Sequence, residues 1–197
     1  ERFYYITDLE SNSNYAVLLY NQDTGSTLPA YDSNTTNYNG PRTAVSSLPT
    51  TSTWDNIELA SSTRQLYSWD GSSSTYGTST TGGDLGTFDY SGYAGRLLTY
   101  SELKAACPNA QAYNGGAGVG SLSSCSYLME NTKYDNSSNT NYGYWLETPH
   151  ASNSNYVWCV YGNDRYLVGN FASSSGSFGG CGARPAIEVL KSKIQLD

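Results

Sequence analysis

Residues 155–190 read NYVWCVYGNDRYLVGNFASSSGSFGGCGARPAIEVL, and the fold turns on how this stretch is understood. It opens on YVWCVY (156–161), which alternates at period two, and closes on ARPAIEVL (183–190), a strand offering Ala186, Ile187 and Val189 to a core. Between them lie small, aromatic and polar residues that follow no folding period. The opening strand has two partly apolar faces: Tyr156, Trp158 and Val160 on one, Val157, Cys159 and Tyr161 on the other. One of these faces is therefore either covered or a contact surface.

Upstream, YGYWLETP (142–149) is a further strand, with Tyr144 and Leu146 alternating with Trp145. The stretch GRLLTYSELKAAC (95–107) carries the strongest local signal in the chain. Thr99 is placed as N-cap, Glu102 follows three residues later as its capping-box partner, and Leu98 and Leu103 hold the hydrophobic-staple positions. This predicts a helix over about 100–107 with Leu103, Ala106 and Cys107 on its buried side. FYYI (3–6) and YAVLLY (15–20), separated by turn-forming residues, read as paired strands. NGPRTAVSSLP (39–49) suggests a second short helix stopped by Pro49. Residues 50–92 alternate aromatic-bearing pieces with Gly, Ser and Thr, and 71–83 reads as an exposed loop.

With 197 residues and no linker signal, one domain spanning 1–197 is expected. Only 14% of residues are charged, whereas Tyr and Gly number 19 and 20, so the polar surface must be built from hydroxyls and amides. That composition suits an extracellular, loop-rich protein, and the aromatics supply enough core to argue against disorder. Ten scattered Lys and Arg under a net charge of −7 argue against nucleic acid as a partner. No apolar run approaches the roughly 20 residues of a membrane span. The opening ERFYYITDLE has neither a basic nor an apolar signal region, so any export signal is expected outside this sequence.

Cys107, Cys125, Cys159 and Cys181 form an even set, for which Cys107–Cys125 and Cys159–Cys181 bridges or unpaired thiols are both open. The single histidine, His150, excludes a His-rich metal site, and no C-x-x-C pair is present. His150 has no neighbouring nucleophile and no G-x-S-x-G elbow occurs, so no catalytic residue, cofactor or metal is expected. A calcium site would need several converging oxygens, for which only ETP (147–149) and GND (162–164) are suggestive. Trp54 and Trp69 are candidate platforms for stacking on sugars.

The order GRLLTYSELKAAC, YGYWLETP, NYVWCV, GARPAIEVL resembles a family of bacterial and phage surface proteins of C-type-lectin-like fold, the variable proteins of diversity-generating retroelements. The resemblance covers roughly residues 90–194 and, more loosely, the first 20. It implies an α+β domain with small mixed or antiparallel sheets, two short helices and long loops, carrying a variable ligand-binding region at about 145–185. In such proteins, template Asn codons copied with errors at adenines become Tyr, Ser, Asp, Gly, Cys, His, Phe and others. The resemblance makes Trp145, Leu146, Val157, Trp158, Val160, Leu167, Arg184, Pro185 and Ile187 framework. It makes His150, Tyr156, Cys159, Tyr161, Gly162, Asp164, Tyr166, Gly169, Phe171, Phe178, Gly179 and Cys181 the displayed, ligand-contacting residues. The implied partner is a protein or glycan on another cell or virion surface. The alternative is a fixed-sequence carbohydrate-binding adhesin or structural module.

Overall fold

The computed structural model describes residues 1–69, 83–108, 122–128, 143–161, 166–175 and 180–194, with the side chains of Leu122, Ser123, Ser124, Tyr161 and Tyr166 outside the description. Strands β1 (Phe3–Leu9) and β2 (Asn12–Tyr20) form the expected hairpin. The C-terminal strand β8 (Ala186–Leu190) pairs antiparallel with β2, so both ends of the chain share one sheet of order β1-β2-β8. Strands β3 (Thr63–Ser68) and β4 (Gly83–Asp89) form a second sheet that sequence pattern did not suggest. The composition of β4, GDLGTFD, has little strand propensity, and its pairing is set by tertiary context. The third sheet, β5 (Tyr144–Pro149), β6 (Tyr156–Tyr161) and β7 (Tyr166–Phe171), is antiparallel throughout. The fold class is thus α+β with small, mostly antiparallel sheets.

Among the described residues there is one α-helix, α1 (Tyr100–Ala106). The expected capping box is formed: Glu102 N donates to Thr99 Oγ1, and Thr99 N donates to the Glu102 carboxylate at 2.9 Å. Leu103 and Cys107 are buried as expected, while Ala106 is only partly so. The second expected helix is a single 3-10 turn, Ala44–Ser47, stopped where Pro49 holds the preceding Leu48 in extended backbone. No helix among the described residues is long and apolar enough to cross a membrane.

The β5-β6-β7 sheet lies between two cores. One contains Tyr144, Leu146, Trp158, Val160 and Leu167, packed with Val17, Leu19, Leu98 and Leu103. The other contains Trp145, Val157 and Cys159, packed with Tyr31, Val45, Leu48, Tyr90 and Leu97. Both faces of β6 are therefore covered along the middle of the strand, which is why its two faces are both apolar in sequence. Every framework position named above is buried. Trp145 Nε1 donates to Pro29 O and Trp158 Nε1 to Trp69 O, which satisfies the polar edge of each buried indole. Arg184 is completely buried: Nε donates to Tyr20 O, Nη1 to Leu128 O, and the guanidinium lies over the Tyr144 ring.

Both cysteine pairs are bonded, Cys107 to Cys125 and Cys159 to Cys181. Bridges closing 18- and 22-residue separations each restrict the unfolded chain by about 3 kcal/mol. They also fit an oxidising compartment.

A second polar feature lies within the fold. Arg96, fully buried, grips Glu102 with Nη1 and Nη2 at 2.9 and 2.5 Å and Glu188 with Nε at 2.7 Å. Arg64 adds a bond to Glu188 and stands 3.5 Å from Glu147, which also accepts from Tyr90 Oη. Two guanidiniums thus serve three carboxylates. Burial pushes the Glu102 carboxyl up, but the paired Arg96 guanidinium outweighs burial and brings it down to about 2. Burial also pushes Glu147 up, and its more distant cations only partly offset this, so its pKa stays above the ordinary carboxylate value.

Candidate ligand-binding surface

Residues directly opposite one another in an antiparallel pair point to the same face of the sheet. Along one face of β6 and β7 the pairs are Val160 with Leu167, Trp158 with Gly169, and Tyr156 with Phe171. Val160 and Leu167 are completely buried and Trp158 is 4% exposed, whereas Tyr156 is half-buried and Phe171 is 50% exposed. The apolar face of the sheet thus runs continuously out of the core and into solvent.

At the exposed end the rings are in contact. Tyr156 and Phe171 have centroids 4.4 Å apart, and His150 stacks on Trp158 at 4.8 Å and 18° while its centroid lies 6.3 Å from that of Tyr156. His150 is in turn held by a bridge to Trp69, whose ring stacks on Tyr100 at 3.7 Å inside the core. An aromatic ledge of His150, Tyr156 and Phe171 results, anchored through Trp158 and Trp69. Rings held this way offer a large contact area with little rotamer freedom left to lose.

Gly169 is the residue that makes the ledge possible. A Cβ there would stand 3.2 Å from His150 Cδ2 and 3.5 Å from Tyr156 Cδ1, so the two rings pack over bare backbone. Gly169→Val is expected to displace His150 from Trp158 and to lower stability by about 1–2 kcal/mol through overpacking. Heat denaturation and the NMR shifts of the His150 ring check this. An unchanged ring environment would show that the glycine is not needed.

The turn between β5 and β6 that carries His150 and Tyr156 is clamped from outside the sheet. Asn37, fully buried, donates from Nδ2 to His150 O at 3.0 Å, Asn153 O at 2.9 Å and Tyr156 O at 2.5 Å, and Asn37 N donates to Ser154 O. Sequence reading missed this residue. It sits in TTNYNG, where an Asn reads as an ordinary loop residue, and no local pattern marks its 113-residue reach to His150.

Of the residues expected to be displayed, the structure brings together His150, Tyr156, Gly169 and Phe171. Cys159 and Cys181 are corrected. Both are completely buried and bonded to each other in the second core, where they tie β6 to the segment preceding β8 and have no surface to offer a ligand. Tyr161 and Tyr166 are paired across β6 and β7 in register. Gly162, Asp164, Phe178 and Gly179 lie outside the described residues, as do residues 71–82 of the loop expected at 71–83, whose last residue, Gly83, is instead the first of β4. Trp69 is a core residue, 3% exposed, and Trp54 packs edge-on against Phe3 and Tyr20, so neither is an open sugar platform. Glu147 is buried in the ion network, which removes ETP as a source of calcium ligands. Among the described residues no three His, Cys, Asp or Glu side chains converge as a metal site would require.

Comparison with protein-family models, with curated proteins and with solved structures finds no match to this chain.

Proposed function

We propose that the chain is a non-catalytic ligand-binding protein of C-type-lectin-like fold, whose C-terminal region presents a binding surface diversified by a retroelement. Its ligand is a macromolecule at a cell or virion surface, and the aromatic ledge is the described part of its contact surface. The observation that carries this reading is the exit of one sheet face from the core. Val160 and Leu167 are buried, whereas Tyr156 and Phe171 on the same face meet solvent as a contiguous pair of rings. Ordinary packing does not require large aromatics there, whereas binding does. The sequence order described above, the sheet joining both chain ends and the two disulfides support the same reading.

The DNA around the coding region tests the retroelement. The expected finding is a near-repeat of the segment encoding 145–185, differing at template adenines and adjoining a reverse-transcriptase gene. A locus without such a repeat overturns that part. Codons for His150, Tyr156 and Phe171 should be among the differing ones, and codons for Trp145, Trp158 and Arg184 should not.

A further inference from the structure

The turn joining β1 to β2, strand β3 and the first residues of α1 enclose a groove of about 630 Å³, a volume typical of small-ligand sites. None of its lining residues belongs to the ledge. Its lining includes Ser11, Ser61, Thr63 and Ser101 with their hydroxyls, Tyr67 with its ring, and Arg64.

The charges in the groove narrow its ligand. Arg64 uses Nη1 on Glu188 and places Nε near Glu147, while its Nη2 makes no hydrogen bond among the described residues and the side chain keeps 17% exposure. The groove therefore has a guanidinium in its lining beside several hydroxyls. An anion is disfavoured there, because Arg64 and Arg96 face three buried carboxylates and Asp8 and Glu10 add negative charge at the mouth. A cation finds the carboxylates in use, since Asp8 holds Lys191 at 2.7 Å and Glu102 holds Arg96 and Thr99 N. A neutral ligand with many hydroxyls pairs with such a lining in both directions, as donor to and acceptor from the Ser and Thr side chains, and its apolar face has Tyr67 to lie against.

We propose that this groove is a second binding site, separate from the aromatic ledge, and that it takes a neutral saccharide. The test is an array of neutral, sialylated and sulfated oligosaccharides probed with the purified chain, followed by calorimetry on the strongest neutral binder. Capture of neutral glycans is expected, with affinity at least tenfold weaker in Thr63→Trp and Ser11→Trp, which fill the groove from exposed positions, and unchanged in Phe171→Ala. In the wild-type chain, NMR amide shifts on titration should concentrate in residues 61–67 and 99–102. Absence of neutral binders, capture of anionic glycans alone, loss of binding in Phe171→Ala, or shifts confined to 150–171 would each overturn the proposal. The shift map needs no variant, so a groove-filling substitution that impairs folding leaves the test intact.

Discussion

Asn37→Asp is expected to lower stability by about 3–5 kcal/mol at neutral pH, the usual cost of a buried charge that lacks its partner. For a chain of this size that is a fall in melting temperature of about 6–20 °C. The substitution is isosteric, so packing hardly changes. What changes is that a carboxylate oxygen replaces an amide nitrogen that faces the carbonyls of His150, Asn153 and Tyr156. The attraction of two N–H donors shared among three carbonyls becomes repulsion in a buried site. Asn37→Ala, which removes the bonds but introduces no charge, is expected to cost less, about 1–3 kcal/mol. The gap between the two variants should narrow as pH falls and the introduced carboxyl takes up a proton. Melting curves of both variants at neutral and acidic pH read this directly. An Asn37→Asp variant as stable as the parent would mean that the turn does not depend on this clamp. Because the clamped turn carries two of the three ledge rings, ligand binding should fall in the same order as stability.

Arg96→Met is expected to cost a similar amount, about 3–5 kcal/mol, since it leaves the buried Glu102 without its counter-ion and Glu188 with Arg64 alone. Glu147→Gln should change stability by less than about 1 kcal/mol at neutral pH, because Glu147 is the carboxylate left over when two guanidiniums serve three acids. The two carboxylates also give opposite pH dependences. Glu102, lowered from its ordinary 4.5 to about 2, contributes stability that is complete above 4.5 and is lost as pH falls toward 2. Glu147, raised above 4.5, works the other way: its charged form costs stability above its folded pKa, and the cost disappears as pH falls to 4.5. Glu147→Gln should therefore flatten the stability profile above 4.5 while leaving the acid limb intact. Denaturant melts across pH decide the matter. An unchanged slope above 4.5 would remove Glu147 from the account.

The helix beginning at Tyr100 was legible because its start is encoded within five residues, Thr99 to Leu103, and needs no distant partner. The strands at 15–20, 144–149, 156–161 and 186–190 were legible for the same reason, since alternation is a local property. The β3-β4 sheet was not, because the Gly and Asp of β4 pair with partners 15 to 26 residues away. The site divides along the same line. His150, Tyr156 and Phe171 were marked by the family resemblance as displayed residues, and the structure brings them into one ledge. Cys159 stood out too, yet it is buried, because the opposite face of β6 is covered by a second core that period-two alternation does not reveal.

Strand β7 (Tyr166–Phe171) lies within the stretch that follows no period in sequence and was not legible there. By itself the sequence determined the capped helix, the strands at 15–20, 144–149, 156–161 and 186–190, and the even cysteine set. All of these are set by neighbours within a few residues. Only the tertiary structure decided which cysteines were joined, that both faces of β6 were covered, that Arg96 lay among three carboxylates, and that Asn37 held the turn beneath the ledge. Each depends on groups brought together from distant parts of the chain, where burial makes a single hydrogen bond or charge decisive and local sequence carries no trace of the partner.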